Sequence, residues 1–140
     1  MDSILRLLYT SQAREDLTEA DVLDILKKSR SNNEQTRVTG ILCYSKQDFI
    51  QVLEGPEKNI LSLYTKIAED PRHQRCKIVS IDLSDRRVFE RWSMGYISVS
   101  GEKMQQLRHE LPRKINHDNT DKFVMHLRGF LNNSAPTAVI

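Results

Sequence analysis

Two short apolar runs, Thr39-Gly40-Ile41-Leu42-Cys43-Tyr44-Ser45 and Phe49-Ile50-Gln51-Val52-Leu53-Glu54-Gly55, flank Lys46-Gln47-Asp48. Two strand-like runs joined by so short a polar turn read as a β-hairpin, and the rest of the chain must fold around it. Period-two alternation puts Phe49, Gln51 and Leu53 on one face of the second strand. A primary amide between Phe and Leu, on a face destined for burial, needs partners for its two donors and its carbonyl. Left unpaired it costs about 1–3 kcal/mol. A structural hydrogen bond to a loop would satisfy a lone Gln, so the residues that accompany Gln51 decide what it does.

The flanking segments supply an order of elements. Ile4 to Thr10 reads as a first strand. Thr18-Glu19-Ala20-Asp21 resembles a capping box with Asp in place of Glu and opens a helix to about Ser31, with Val22, Ile25, Leu26 and Ser29 at helical spacing. Asn32-Asn33 is expected to end it, because Asn tolerates the left-handed conformation that helix ends often need. Gly55-Pro56-Glu57 starts a second helix with Pro in its first turn. Ile60, Leu63, Tyr64, Ile67 and Ala68 form its apolar stripe, and Asp70-Pro71 stops it. Lys77 to Leu83 alternates as strand four, and Val88 to Val99 carries strand five. The order βαββαββ, with helices returning to one side of a sheet, predicts a ferredoxin-like α/β (α+β) sandwich around a five-stranded mixed sheet.

Past Gly101 the pattern is helical. Met104 and Leu107 precede Pro112, and Phe123, Leu127, Phe130 and Leu131 fall at i, i+4, i+7 and i+8. This pair is too short for a domain of its own, and the uncovered sheet face needs a lid. Residues 1–99 are therefore the expected core and 100–140 a helical cap and tail of the same unit, frayed from Asn132 to Ile140.

Composition narrows the class. A chain of 140 residues, 39% hydrophobic and 29% charged, suits one soluble domain with a modest core. A net charge of +2 is too small to imply nucleic acid, and the late basic residues Arg108, His109, Arg113, Lys114 and His117 form no sustained stripe. Cys43 and Cys76 have neither metal nor redox spacing and suggest a reducing compartment. His73, His109, His117 and His126 show no metal spacing either, so no metal is expected. Ile4-Leu5-Arg6-Leu7-Leu8 is too short for a signal or a membrane span, so a cytoplasmic protein without membrane attachment is expected.

Parity also groups Tyr9 with Leu5 and Leu7, and Trp92 with Met94 and Tyr96 on strand five. It allows one sheet face carrying a phenol, an amide, an indole and a thioether. On helix one, a turn of about 3.6 residues aligns Ile25, Ser29 and Asn32, with Asn33 at the edge. Ile60, Tyr64 and Ile67 form a similar stripe on helix two. A cleft between two such helices has aliphatic walls, amides at one end, and tyrosine and glutamine for a floor. It suits a flat heteroaromatic ligand with imide-type edges. Each residue taken singly has a plainer account: Asn32-Asn33 as a helix terminus, Trp92 and Met94 as core, Arg72-His73 as a solvated turn.

Together, the segments resemble the BLUF family of flavin-binding blue-light sensors. The matching pieces are Leu7-Leu8-Tyr9-Thr10-Ser11, Asp24-Ile25-Leu26 through Ser29 and Asn32-Asn33, the two hairpin strands, Asp70-Pro71-Arg72-His73, and Phe89-Glu90-Arg91-Trp92-Ser93-Met94. They occur in family order over roughly the first hundred residues, far more specific jointly than singly. The resemblance implies FAD held without a covalent bond between the two helices, FMN being a possible substitute. It implies Tyr9 as electron donor to the excited flavin and Gln51 as the bridge between phenol and flavin. Asn33 would hold one polar edge with Asn32 and Ser29 nearby, Ile25 and Ile67 would sandwich the ring, and Arg72 and His73 would lie toward its pyrimidine edge or tail. Trp92 and Met94 would report the switch. A separate effector protein and self-association into a dimer or larger assembly are the expected partnerships.

Two other classes fit less well. An acylphosphatase-like enzyme shares the ferredoxin-like order but needs a glycine-bearing phosphate loop, and Gln12-Ala13-Arg14-Glu15 has no glycine and an acid beside its Arg. An RNA-recognition module needs exposed aromatics on central strands, against an aromatic content of 6%. Cys43 is read as a small buried strand residue and not as an adduct-forming thiol. The expectation is a sensor, not a turnover enzyme.

Overall fold

Strand parity holds along the hairpin and sorts its side chains into two separate cores. The computed structural model describes residues 3–112 and 117–132. Among these the order is β1 (Ile4–Ala13), α1 (Glu19–Thr36), β2 (Thr39–Tyr44), β3 (Asp48–Pro56), α2 (Glu57–Glu69), β4 (His73–Ser84), β5 (Gly95–Ser98), α3 (Gly101–Glu110) and α4 (His117–Asn132). The strands form one five-stranded sheet in the order β4-β1-β3-β2-β5. β1, β3, β2 and β4 pair antiparallel, and β5 joins β2 in parallel, so the sheet is mixed and the fold ferredoxin-like as expected.

One face carries Leu5, Leu7, Tyr9, Leu42, Phe49 and Leu53 against Val22 and Leu26 of α1 and Ile60 of α2. The other carries Leu8, Ile41, Cys43, Ile50 and Val52 against Met104 and Leu107 of α3 and Phe123, Leu127 and Leu131 of α4. The C-terminal helices thus cover the second face, and both sides of the central strands are buried. The tail beyond residue 132, together with Arg113 and Lys114, lies outside the described residues.

Several boundaries differ from the sequence reading, each for a physical reason. The capping box at Thr18 and Asp21 forms as expected. Asn32-Asn33 does not end α1, however; the helix continues to Thr36, and the left-handed position falls on Arg37 at φ 58°. Asn33 is buried inside the last turns, where its side chain has a tertiary partner. Pro56 is the cap residue of α2 and not its first helical position, and Ala68 is exposed. β4 begins at His73, four residues earlier than the alternation suggested.

The largest difference is β5. Only Gly95–Ser98 is strand, and the segment from Val88 to Met94 is irregular. Buried backbone groups need partners, and here many come from remote side chains instead of a ladder. The buried Glu54 carboxylate accepts from Val88 N at 2.9 Å and Phe89 N at 2.7 Å. The carbonyls of Trp92, Ser93 and Met94 accept from Gly40 N, Asn33 Nδ2 and Arg30 Nε. Strand parity is therefore lost before Gly95: Met94 and Tyr96 pack in the first core, while Trp92 packs in the second.

Candidate functional site

Tyr9 and Gln51 are directly opposed residues on β1 and β3. Both side chains stand beneath α1 and α2, and the Tyr9 hydroxyl donates to Gln51 Oε1. Directly opposed residues are the nearest cross-strand neighbours a sheet offers. The other end of the amide is engaged too, because Gln51 Nε2 donates to Met94 Sδ at 3.3 Å. Phenol, amide and thioether thus form one chain, all three side chains buried. Tyr64 of α2 meets the Tyr9 ring edge-on, with centroids 5.2 Å apart. Burial pushes the Tyr9 phenol pKa well above its ordinary value, so the proton stays on oxygen in the resting protein.

Above this chain, a cleft opens between α1 and α2. Ile25, Ser29 and Asn33 of α1 and Ile67 of α2 line it, with Tyr9, Gln51, Met94, Arg72 and His73. Arg72 pairs with Asp70, and this hydrogen bonding holds the Asp70 carboxyl below its ordinary range. His73 is half-buried beside Phe49, and burial lowers its pKa. Aliphatic residues from two helices, with few and convergent amides, are the donor set a flat imide-bearing ring requires. One N–H of Asn33 Nδ2 donates to Ser93 O at 2.7 Å. Its carbonyl oxygen is the end that can accept from a ligand. The residues present therefore fit a flavin.

Two expected members stand elsewhere. Asn32 is exposed, and its backbone carbonyl accepts from Thr36 Oγ1 at 3.0 Å. The sheet-facing side of α1 runs through Val22, Leu26 and Asn33, and Asn32 lies about 100° around the helix from Asn33. Trp92 does not line the cleft. Its ring meets Phe89 in the second core at 6.4 Å, and its buried Nε1 has no hydrogen-bond partner among the described residues.

Three charged residues that the sequence reading passed over also act here. Arg30 and Asn33 hold the segment that delivers Met94. Glu54 and Arg6 are cross-strand partners joined at 3.1 Å in the interior, and Arg6 reaches on to Asp121 of α4. The available signal was a charge set between apolar neighbours in each of two strand-like runs, Leu5-Arg6-Leu7 and Leu53-Glu54-Gly55, of opposite sign.

Comparison with known proteins agrees with this geometry. Residues 4–95 match BLUF, described as sensors of blue-light using FAD. A photoactivated adenylate cyclase subunit alpha of Euglena gracilis is 36% identical over 86 residues, covering 61% of this chain but 8% of the relative. The blue light- and temperature-regulated antirepressor BluF of Escherichia coli (strain K12) is 33% identical over 88 residues, covering 63% of this chain and 22% of the relative. Among solved structures, dark-state BlrB, a BLUF protein, superposes with a TM-score of 0.73 at 30% identity, covering 93% of this chain and 98% of that one. BlsA in its photo-activated state gives 0.74 at 29% identity, covering 89% and 94%. The fold and the site define a flavin-binding photosensory domain. This chain belongs to the BLUF family of blue-light sensors, and the comparisons give no support to the acylphosphatase-like alternative.

Proposed function

We propose that this chain is a light sensor without turnover chemistry of its own, that FAD is its flavin, and that the chain Tyr9–Gln51–Met94 is its switch. The observation that carries the reading is this chain itself: one buried carboxamide with a phenol on its oxygen and a thioether on its nitrogen. Asn33 and Ser29 would hold the polar edge of the ring, Ile25 and Ile67 its faces, and Arg72 and His73 the end of the cleft. FAD is the flavin that the family description names.

A bound flavin would supply absorption of blue light and an excited state able to take an electron. Tyr9 is the buried phenol placed to give one. On losing an electron a phenol becomes strongly acidic, and Gln51 Oε1 already accepts its hydrogen bond. A carboxamide has a donor end and an acceptor end, so rotation or tautomerisation changes its pattern without changing its volume. A rotated amide would turn an oxygen toward Met94 Sδ, leaving two acceptors face to face. Met94 would then move, a local hydrogen-bond event biasing the segment that leads into β5. Trp92, on the other face, would respond through that same segment and not by touching the ring.

The names of the relatives, photoactivated adenylate cyclase and antirepressor among them, support output through an effector. α3 and α4 are the surface for it, because they pack on the sheet face opposite the cleft. Self-association belongs to the same proposal, supported by Ile78, Ile81 and Leu83, which stand 40–57% exposed on edge strand β4. The purified protein is expected to be yellow, to release FAD intact on denaturation, and to shift its absorption reversibly to the red in blue light. A colourless protein that takes up neither FAD nor FMN would refute the reading.

A further inference from the structure

Three consecutive carbonyls lead into β5, and each is taken by a donor from outside the segment. Gly40 N donates to Trp92 O at 3.0 Å, Asn33 Nδ2 to Ser93 O at 2.7 Å, and Arg30 Nε to Met94 O at 2.9 Å. Asn33 and Arg30 are three residues apart on α1 and so lie on one side of the helix. Arg30 is absent from the lining of the cleft, yet it grips the main chain of the one residue whose side chain receives Gln51 Nε2. Met94 is therefore held at both ends, its carbonyl by a guanidinium on α1 and its sulfur by the amide on β3. Hydrogen bonds to charged groups are the stronger kind. Arg30 is half-buried and its Nη2 is buried without a hydrogen-bond partner among the described residues, so this donor is not simply a solvated surface charge.

We propose that Arg30 is the positioning residue of the switch: it fixes the Met94 main chain against α1, so that reorientation of Gln51 is converted into movement of the Met94 side chain and of β5. The inference rests on the reading that Gln51 reorients in light. With the tether present, the Met94 carbonyl stays in place, and strain at the sulfur must pass along the chain into Gly95–Ser98. Without it, the whole Ser93–Met94 unit gives way locally, and β5 receives little.

The test compares wild type, Arg30→Ala and Arg30→Lys, each loaded with FAD, in dark and light. In the dark, amide exchange over residues 92–98 is expected to rise about tenfold in Arg30→Ala, in keeping with loss of a charge-assisted hydrogen bond, while β1 and β3 stay at wild-type rates. The red shift of the flavin should persist, since no cleft residue has changed. The light-minus-dark infrared bands of the backbone should fall to less than about half in the same variant. Arg30→Lys, which keeps a charged donor, should restore part of both. Exchange over 92–98 within about twofold of wild type, or exchange raised equally throughout the chain, would overturn the proposal. So would undiminished backbone bands in Arg30→Ala. Failure of the underlying reading looks different: wild type would then show no red shift, or Gln51→Leu would keep it, whatever Arg30 does.

Discussion

Leu131 of α4 sits where a β-carbon on Gly95 would stand: a β-carbon built there lies 2.6 Å from Leu131 Cδ1. Gly95 is the first residue of β5 and follows Met94, so the thioether end of the switch and the last turns of α4 are one residue apart through packing. No other residue at 95 permits that approach without displacement. Gly95→Ala should displace the Leu131 side chain at an overpacking cost of about 1–3 kcal/mol, lowering the denaturation midpoint while flavin binding and the red shift survive. Light-induced exchange changes in α4 should weaken. Leu131→Ala alone empties a buried core position, so the double variant should lose less than the two single losses summed, and strict additivity of the two changes would argue against the contact.

Tyr9→Phe keeps the ring that packs on Tyr64 and removes the hydroxyl that donates to Gln51. Flavin should remain bound while the reversible shift disappears. Gln51 Oε1 loses its partner in a buried site, costing about 1–3 kcal/mol in thermal or chemical denaturation. A normal photocycle in this variant would show that another group is the donor.

Gln51→Leu roughly conserves volume, so the cleft should keep its shape and its flavin. It removes both hydrogen bonds of the chain, to Tyr9 and to Met94. Absorption spectra at any light dose should lack a persistent red-shifted form. A long-lived shifted state with the wild-type carbonyl signature in infrared difference spectra would rule out an amide switch here.

Glu54→Ala removes the acceptor for Arg6 and for the N–H groups of Val88 and Phe89. Breaking a buried ion pair from one side typically costs about 3–5 kcal/mol. Urea denaturation should reveal a loss of that order, and exchange should rise over residues 86–94. Arg6 keeps Asp121 as a second partner, so the lower end of the range is expected.

The His73 pKa is lowered from 6.5 by burial. Between 6.5 and the lower folded value, the unfolded chain binds a proton that the folded one does not. This contribution to stability is therefore complete above the unfolded pKa and declines as pH falls toward the folded one. Chemical denaturation of the flavin-bound protein at about pH 8 and about pH 5.5 should show a smaller loss in His73→Gln than in wild type. An identical pH slope would exclude His73 as the source.

Much of the fold was legible because its signals are local. Alternation in Phe49-Ile50-Gln51-Val52-Leu53 reports a strand with two buried faces, the Thr18–Asp21 box reports a helix start, and the spacing of Phe123, Leu127 and Leu131 reports a helix with one apolar side. Tyr9 and Gln51 could each be assigned to a strand face by counting. Their being opposite one another could not be counted, because it depends on the register of two strands more than thirty residues apart, which the packing of both cores decides.

The segment Val88–Met94 lay beyond that reach altogether. Its composition is that of a strand, and propensity is a statement about neighbours in sequence. Its backbone partners are Glu54, Gly40, Asn33 and Arg30, all distant in the chain, and they hold it in a bent path that sends Trp92 to one core and Met94 to the other. The same competition placed Asn33 inside α1 and left the helix end to Arg37. The sequence by itself determined the elements, the two-sided sheet and the residue types of the cleft, since these follow from periodicity and side-chain chemistry. Which side chains meet, and through which backbone the meeting is felt, was decided by tertiary hydrogen bonds and packing, because buried polar groups take the partner that the fold delivers and not the one the local pattern suggests.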